Sequence, residues 1–342
     1  MASLILTRDD LSVHLDSRRL EVVRRITDGP RPKHEKRTVP LHDLDRVVVI
    51  GRPSITIPVL IKLMDSGIPC FFVSSRGRWR GAVMPERNLN ALRRLHQYEL
   101  AQSNEHRLAI ACRLVYSKIR NCRRVLQRLA ANRSISNETA HTCLCGELKH
   151  YAQRAGNAQS HDELMGIEGI AAARYFDRLS EFFPPEMPFN GRSRRPPRDP
   201  VNALLSWTYT ILLGEMEGII RSHGLDAALG FLHVDSDGRP TLALDLMEPL
   251  RPAFADLLVL NIVNHKILRE EHFEINPEDG GTYLTASARK PYFTLYEQTM
   301  KRRFALHSGE PHTDFRKVME GEVCRYLRAL EQKQYEPFFL MP

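Results

Sequence analysis

The chain has 342 residues, of which 42% are hydrophobic and 26% charged, and its formal net charge is +8. This length allows one large or two moderate domains with a buried core. No apolar run approaches the roughly 20 residues of a membrane-spanning helix, and the N-terminus lacks the basic and apolar regions of a signal peptide, so we expect a cytoplasmic protein with no membrane partner.

The first part of the chain alternates short β-prone runs with polar turns. Residues 4–6, 12–15, 20–23, 46–50 and 70–73 are typical of strands, and residues 54–64 are typical of one short helix. We therefore predict a small β-rich domain over residues 1–85, with a sandwich-like arrangement of its strands.

Helical patterns begin after Pro85 and dominate residues 86–342. Apolar residues recur at alternating spacings of four and three, which predicts a helix with one packed side and one side that presents cations: Leu108, Cys112, Val115, Ile119, Cys122, Leu126 and Leu129. Asp199 is expected to cap a helix that begins with Pro200 and runs to about Ser222, before Gly224. The predicted fold class is α+β, an N-terminal β-sandwich-like domain followed by a larger all-α-helical domain.

The positive charge is concentrated in one segment. Between Met84 and Arg133, eleven Arg or Lys residues stand against three Glu, a difference of +8 that equals the net charge of the whole chain. Such a segment indicates a polyanionic partner, above all nucleic acid; an acidic membrane or protein surface, or a merely solvated helix, are the alternatives. Candidate phosphate contacts lie off the apolar side of this helix and in a proline-broken loop: Arg113, Arg120, Arg124, Arg128, Arg192, Arg194, Arg195 and Arg198.

Glu168 lies on a helical face whose other positions are apolar or aromatic: Leu164, Ala171, Tyr175 and Leu179. A buried carboxylate without a partner costs several kcal/mol, so this one must be protonated, bound to a metal, or paired with a cation such as Arg178. The pattern leaves these possibilities open.

His233 is followed by the turn-prone residues 235–238 and a β-prone run at 241–244. This pattern predicts a hairpin that folds His233 back toward Asp245 and Glu248. An imidazole beside carboxylates is suited to Mg²⁺ or Mn²⁺, although a solvated turn with charged neighbours has the same pattern. If the chain brings Glu168 to this group, the set beside a basic surface indicates an enzyme that cuts or joins phosphodiesters.

Several stretches together resemble one family. They are GRWRG at 77–81, GIEG at 166–169 with Tyr175-Phe176 after it, RPPRDPVNALLS at 195–206, GFLH at 230–233, LDLMEPLRP at 244–252, and residues 283–296. In this order and spacing they resemble the CRISPR-associated adaptation integrases, the universal endonucleases of spacer acquisition in antiviral defence. The resemblance covers essentially the whole chain. Each motif alone is weak, whereas the set is specific.

The resemblance implies a metal-dependent DNA endonuclease and integrase that joins a prespacer 3′-hydroxyl to a phosphodiester of a CRISPR repeat. It implies that Glu168, His233 and Glu248 bind Mg²⁺ or Mn²⁺ and that Asp245 supports the catalytic site. It also implies double-stranded and branched DNA as substrates, a homodimer formed by residues 1–85, a catalytic domain over residues 86–342, and a small partner adaptation protein. Many relatives carry aspartate where this chain has Glu248, which is one methylene longer.

Three other functions remain open at this point. A structure-specific nuclease for branched DNA in repair would use the same residues, because one metal site serves both hydrolysis and transesterification. A non-catalytic DNA-binding scaffold would satisfy the acids structurally. A metal phosphohydrolase of small molecules is the third possibility, and the concentrated basic segment argues against it.

Overall fold

The structure is a computed structural model that describes residues 2–26, 33–75, 79–84, 91–131, 137–193, 196–233, 238–307 and 309–342. Within these ranges, strands dominate up to residue 83 and helices dominate from residue 91 onward. The predicted α+β fold class, with a strand-rich region before a larger helical one, is therefore confirmed.

Two four-stranded sheets make up the strand-rich region. Its strands are β1 (Ala2–Leu6), β2 (Leu11–Asp16), β3 (Arg19–Ile26), β4 (Lys33–Pro40), β5 (Leu44–Ile50), β6 (Ser54–Ile55), β7 (Cys70–Val73) and β8 (Trp79–Val83). One sheet has the order β1-β5-β7-β8, with β8 antiparallel and the other pairs parallel. The other has the order β4-β3-β2-β6, with β6 parallel to β2 and the remaining pairs antiparallel. Both sheets bury apolar residues in one shared core, as a sandwich does.

Two elements of this region differ from the sequence-based expectation. The sequence does not predict β4, because its residues are mostly polar; the strand forms by pairing along its length with β3 at the edge of the sheet, where residues 34–38 stay exposed. The helix expected over residues 54–64 is α1 (Ile57–Asp65). It begins later because residues 54–55 pair with β2, and because Pro58 fits the first turn after Thr56.

Strand β5 is buried on both of its faces. Val47 and Val49 belong to the core between the two sheets, whereas Val48 and Ile50 belong to the core of the helical region. Successive residues of a strand point to opposite faces, so the unbroken apolar run Val47–Ile50 reflects two hydrophobic environments. The first sheet therefore packs directly on the helices.

The helical region begins with α2 (Ala91–Ala101), α3 (Asn104–Ala131), α4 (Glu138–Gly156), α5 (His161–Ser180) and α6 (Pro200–Ser222). It continues with α7 (Thr241–Leu246), a π-helix (Arg251–Asp256), α8 (Leu257–Asn264), the antiparallel strands β9 (Phe273–Ile275) and β10 (Thr282–Leu284), α9 (Ala286–Lys301) and α10 (Phe315–Gln332). The bounds predicted for α6 are confirmed, and its capping residue Asp199 accepts from the Asn202 amide at 2.8 Å. No helix in the described ranges combines the length and apolarity needed to cross a bilayer.

Helix α3 lies inside the helical region and packs against α4, α5 and the π-helix. Most of the predicted apolar series is buried, but so are positions outside that series, among them Leu114, Ser117 and Asn121. The packed side of this helix is therefore wider than the predicted one. The four predicted arginines, Arg113, Arg120, Arg124 and Arg128, are half-buried or exposed, whereas the basic Lys118 is only 13% exposed.

A buried ion cluster joins the two regions. Arg46 of β5 is 5% exposed and forms ion pairs with Glu215 of α6 and with Glu297 of α9, the latter at 2.7 Å. Arg316 contacts both glutamates, and the Tyr296 hydroxyl donates to Glu215 at 2.5 Å. Each buried charge thus has an opposite charge or a hydrogen bond, which offsets the cost of removing it from water.

We expect the substitution Arg46→Met to lower the free energy of unfolding by about 2–3 kcal/mol, because it removes the most buried cation that pairs with Glu215 and Glu297. Urea unfolding followed by circular dichroism measures this change. Arg18→Met, at an exposed position of the same region, is the control and should leave the stability unchanged. Equal stability of the two variants would contradict the role given to the cluster.

Candidate active site

Helix α5 places Glu168 at the edge of its buried face. Leu164, Ala171, Tyr175 and Leu179 are buried, as the spacing predicts, whereas the Glu168 side chain keeps 17% of its surface exposed. Its partner is the Lys118 ammonium of α3. The suggested partner Arg178 instead pairs with Glu181 at 2.5 Å.

Residues 241–246 form a helix rather than the arm of a hairpin. Thr241–Leu246 is α7, so the β-strand expected over residues 241–244 is wrong; residues 235–237 of the expected turn lie outside the described residues. Pro240 directly precedes the first turn of this helix, in which no backbone N–H is needed for an intrahelical bond. The expected approach of His233 to Asp245 is nevertheless found, because α7 carries Asp245 back to the segment that ends at His233.

Asp245 is fully buried and is held by hydrogen bonds from one short segment. Its carboxylate accepts from the backbone amides of Phe231, Leu232 and His233, at 2.6, 2.8 and 3.1 Å. The His233 ring adds a fourth bond, with its Nδ1 2.7 Å from Oδ1. The carboxylate oxygen accepts this bond, so we place a proton on Nδ1 of the ring. In the neutral ring, Nε2 then carries a free lone pair.

The free nitrogen of His233 faces Glu248. Nε2 lies 4.0 Å from Oε1 of Glu248, and the His233 side chain is 34% exposed. Burial lowers the pKa of His233, but the bond to Asp245 and the charge of Glu248 outweigh it, so its pKa lies above the ordinary value. The ring thus sits in a negative environment with one nitrogen available to a ligand.

Glu248 is buried and surrounded by cations. Its carboxylate lies 2.9 Å from Arg251 and 2.7 Å from the Lys118 ammonium, which also contacts Glu168. Burial raises the pKa of Glu248, but Arg251 and Lys118 reverse the effect and bring it to about 2. Glu168 and Glu248, from different parts of the chain, therefore converge on one cation.

The three predicted metal ligands, Glu168, His233 and Glu248, come together around the ammonium of Lys118. Within the described ranges, no group of three or more His, Cys, Asp and Glu side chains is arranged to hold a metal ion directly. The Lys118 ammonium lies between the two glutamates instead. The donor types nevertheless suit a hard divalent cation, since they are two carboxylates and an imidazole with a free nitrogen.

Hydrogen bonds through Asn121 of α3 connect the turn after Glu248 to the segment that follows α10. The buried Asn121 side chain donates to the carbonyl oxygens of Pro249 and Phe339, at 2.7 and 2.9 Å, and accepts from the Met341 amide at 2.7 Å. The backbone beside Glu248 is therefore tied to residues almost one hundred positions later in the chain.

A family model described as CRISPR associated protein Cas1 matches residues 4–298. The chain belongs to the Cas1 family. A Rhodospirillum rubrum relative, named CRISPR-associated endonuclease Cas1 2, is 35% identical over 316 residues, which cover 89% of this chain and 90% of the relative. The resemblance drawn from the sequence motifs is confirmed.

Two solved structures have a similar fold. A casposase bound to integration product matches with a TM-score of 0.84 at 22% identity, over 99% of this chain and 94% of that one. A chain of a Cas6-RT-Cas1–Cas2 complex matches with a TM-score of 0.78 at 26% identity, over 99% of this chain but 36% of that one.

Behind the acidic residues of this Cas1-family chain lies a buried carboxylate. Asp256 accepts from the hydroxyls of Tyr175 and Tyr209, at 2.9 and 2.5 Å. Burial raises its pKa to about 6, against the opposing effect of the two tyrosines. The Tyr209 ring packs under the guanidinium of Arg251, 4.9 Å away, and thereby supports the cation that contacts Glu248.

The predicted phosphate contacts on α3 differ in their environments. Arg113 and Arg120 are half-buried, and Arg120 packs over the Tyr116 ring. Arg124 and Arg128 are exposed. Burial, Arg124 and Arg302 lower the pKa of Arg128, which shows that positive charges crowd together at the end of the helix. The sequence reasoning missed Arg302, whose only signal was a short basic run after α9.

The basic loop after residue 191 is only partly described. Arg192 is half-buried, donates to the Asn202 side chain at 2.7 Å and packs against the rings of Phe176 and Tyr209, so its guanidinium already has partners within the protein. Arg198 is exposed. Arg194 and Arg195 lie outside the described residues. Of the two described loop arginines, Arg198 is therefore the one more open to an anion.

Proposed function

We propose that this chain is a divalent-metal-dependent DNA endonuclease and integrase that inserts prespacer DNA into a CRISPR repeat array. The observation that carries the proposal is the convergence of Glu168, His233 and Glu248, with Asp245 fixing the imidazole. The name of the Rhodospirillum rubrum relative supports the endonuclease activity, and the casposase structure supports integration by this fold.

The donor set supports Glu168, His233 and Glu248 as the residues that hold Mg²⁺ or Mn²⁺. Both carboxylates already pair with a cation, and Nε2 of His233 lies 4.0 Å from Glu248. When bound, such an ion activates an attacking hydroxyl or water and offsets negative charge that builds up on the phosphate.

The reaction that we propose is a transesterification. The 3′-oxygen of the prespacer forms a bond to a phosphorus atom of the repeat, and the bond from that phosphorus to the repeat's own 3′-oxygen breaks. One phosphodiester replaces another, so no nucleotide triphosphate is needed. In this step Asp245 keeps the His233 ring in one tautomer and one orientation, and Arg251 keeps Glu248 ionised.

Double-stranded and branched DNA are the proposed substrates. The crowded cations Arg124, Arg128 and Arg302 would gain from a phosphate neighbour, because an anion relieves their mutual repulsion. We further propose a homodimer formed through residues 1–85, and a complex with a small partner adaptation protein. The solved complex that contains both Cas1 and Cas2 supports the proposed complex with a partner protein.

Strand transfer on labelled DNA tests the proposal. A prespacer with a free 3′-hydroxyl is mixed with a repeat-containing target in Mn²⁺, in Mg²⁺, or in EDTA, with and without the partner protein. We expect joined product with either metal and none with EDTA. Cleavage of branched DNA without any joining, even with the partner present, would favour a repair nuclease instead. DNA binding without chemistry under every condition would favour a scaffold.

A further inference from the structure

A lysine occupies the centre of the acidic group. Lys118 lies on α3 between the buried residues Leu114 and Cys122, one turn to either side, and its own side chain is 13% exposed. Its ammonium contacts Glu168 of α5 and lies 2.7 Å from Glu248 after α7. A single positive charge thus connects two acids that come from different parts of the fold.

The charges around this ammonium explain why it is needed. Without this ammonium, Glu248 would keep its ion pair with Arg251, but no cation would lie between the Glu168 and Glu248 carboxylates in the described part of the chain. Two like charges that share one cation repel strongly in a partly buried site. Because the Lys118 ammonium contacts both carboxylates, it offsets this repulsion and holds the acids together.

We infer that Lys118 is a built-in counter-cation of the metal site, which holds Glu168 and Glu248 together in the metal-free protein and is displaced when a divalent ion binds. This inference rests on the proposed function, since it needs these acids to be metal ligands. One divalent ion balances the two carboxylates by itself, so the ammonium becomes superfluous between them. The flexible four-carbon stem of lysine allows the ammonium to leave without movement of α3.

Mn²⁺ binding and thermal unfolding test the inference without any catalytic assay. Calorimetric titration with Mn²⁺ compares the parent protein, Lys118→Met, and the control Lys149→Met, which removes an exposed charge on α4. We expect Lys118→Met to bind Mn²⁺ about tenfold more tightly, because no ion pair has to be broken first. Its melting temperature should fall without metal and recover when Mn²⁺ is saturating. Lys149→Met should match the parent in both measurements.

A double variant covers the case in which Lys118→Met does not fold without metal. Adding Glu168→Gln removes the repulsion between the acids, so Lys118→Met with Glu168→Gln should recover most of the lost stability. Continued instability of the double variant would overturn the inference, since the lysine would then be needed for packing. Equal or weaker Mn²⁺ binding by a folded Lys118→Met would also overturn it. No Mn²⁺ binding by the parent protein would instead refute the proposed metal site, and the inference with it.

Discussion

The substitution His233→Ala is expected to abolish strand transfer while the protein stays folded. His233 contributes the imidazole that lies beside Glu248, and its loss removes one of three proposed metal ligands. A metal centre contributes several kcal/mol to the stabilisation of the transition state, so we expect the rate to fall about a thousandfold. Product formation at saturating Mn²⁺, measured on the labelled DNA described above, gives this ratio.

The fold should survive this change because Asp245 keeps its three backbone donors, Phe231, Leu232 and His233 itself. The melting temperature of metal-free His233→Ala should therefore lie within a few degrees of the parent value. His42→Ala, at an exposed position near β5, is the matched control and should retain full activity. A folded His233→Ala variant with the parent rate would refute the role of this residue.

The second large effect is expected from Asp245→Asn, which should lower both stability and metal affinity. Both oxygens of the carboxylate accept two hydrogen bonds each, one of them from the His233 ring. An asparagine turns one of these oxygens into an NH₂ group, which would face two N–H donors. We expect a loss of about 2–4 kcal/mol in the free energy of unfolding, because buried donors are left without acceptors.

Metal affinity separates the positioning role of Asp245 from its structural role. A residue that orients a metal-binding histidine typically contributes 10- to 100-fold to affinity, and we expect Mn²⁺ binding by Asp245→Asn to weaken by about that factor. Urea unfolding and calorimetric titration measure the two quantities. Asp177→Asn, at an exposed position on α5, is the control. Parent-like stability together with parent-like Mn²⁺ affinity would contradict both roles.

Local sequence signals were sufficient for some of the fold. The Asp199 cap, Pro200 in the first turn and Gly224 after the end define α6, because each acts on the backbone beside it. The unbroken apolar run Val47–Ile50 in β5 is a local signal too, although it does not reveal that the two faces meet different cores. The short helix α7 was missed because six residues carry too little periodicity to outweigh a β-prone composition.

In the candidate site, too, some residues could be predicted from the sequence and others could not. The motifs of the family resemblance led to Glu168, His233, Asp245 and Glu248, which the fold does bring together. They gave no indication of Lys118, because one lysine in a basic segment has the sequence signature of a surface residue. The available signal was the apolar residues around it, Leu114 and Val115 before it and Cys122 after it. The contacts of Arg192 with the Tyr209 and Phe176 rings join residues that are distant in sequence, and no local pattern contains that information.

The double burial of β5 limits how freely the two regions can be exchanged between relatives in evolution. Phe71 and Trp79 of the first sheet approach α6 so closely that a Cβ on Gly218 would lie 2.8 Å from the Phe71 ring, and one on Gly214 would overlap Trp79. A recombination event near residue 85 would pair a foreign sheet with these two glycines and with the partners of Arg46. Such hybrids would keep all the acidic residues of the candidate site, but their sheet would pack poorly on the helices. The two regions should therefore be inherited together.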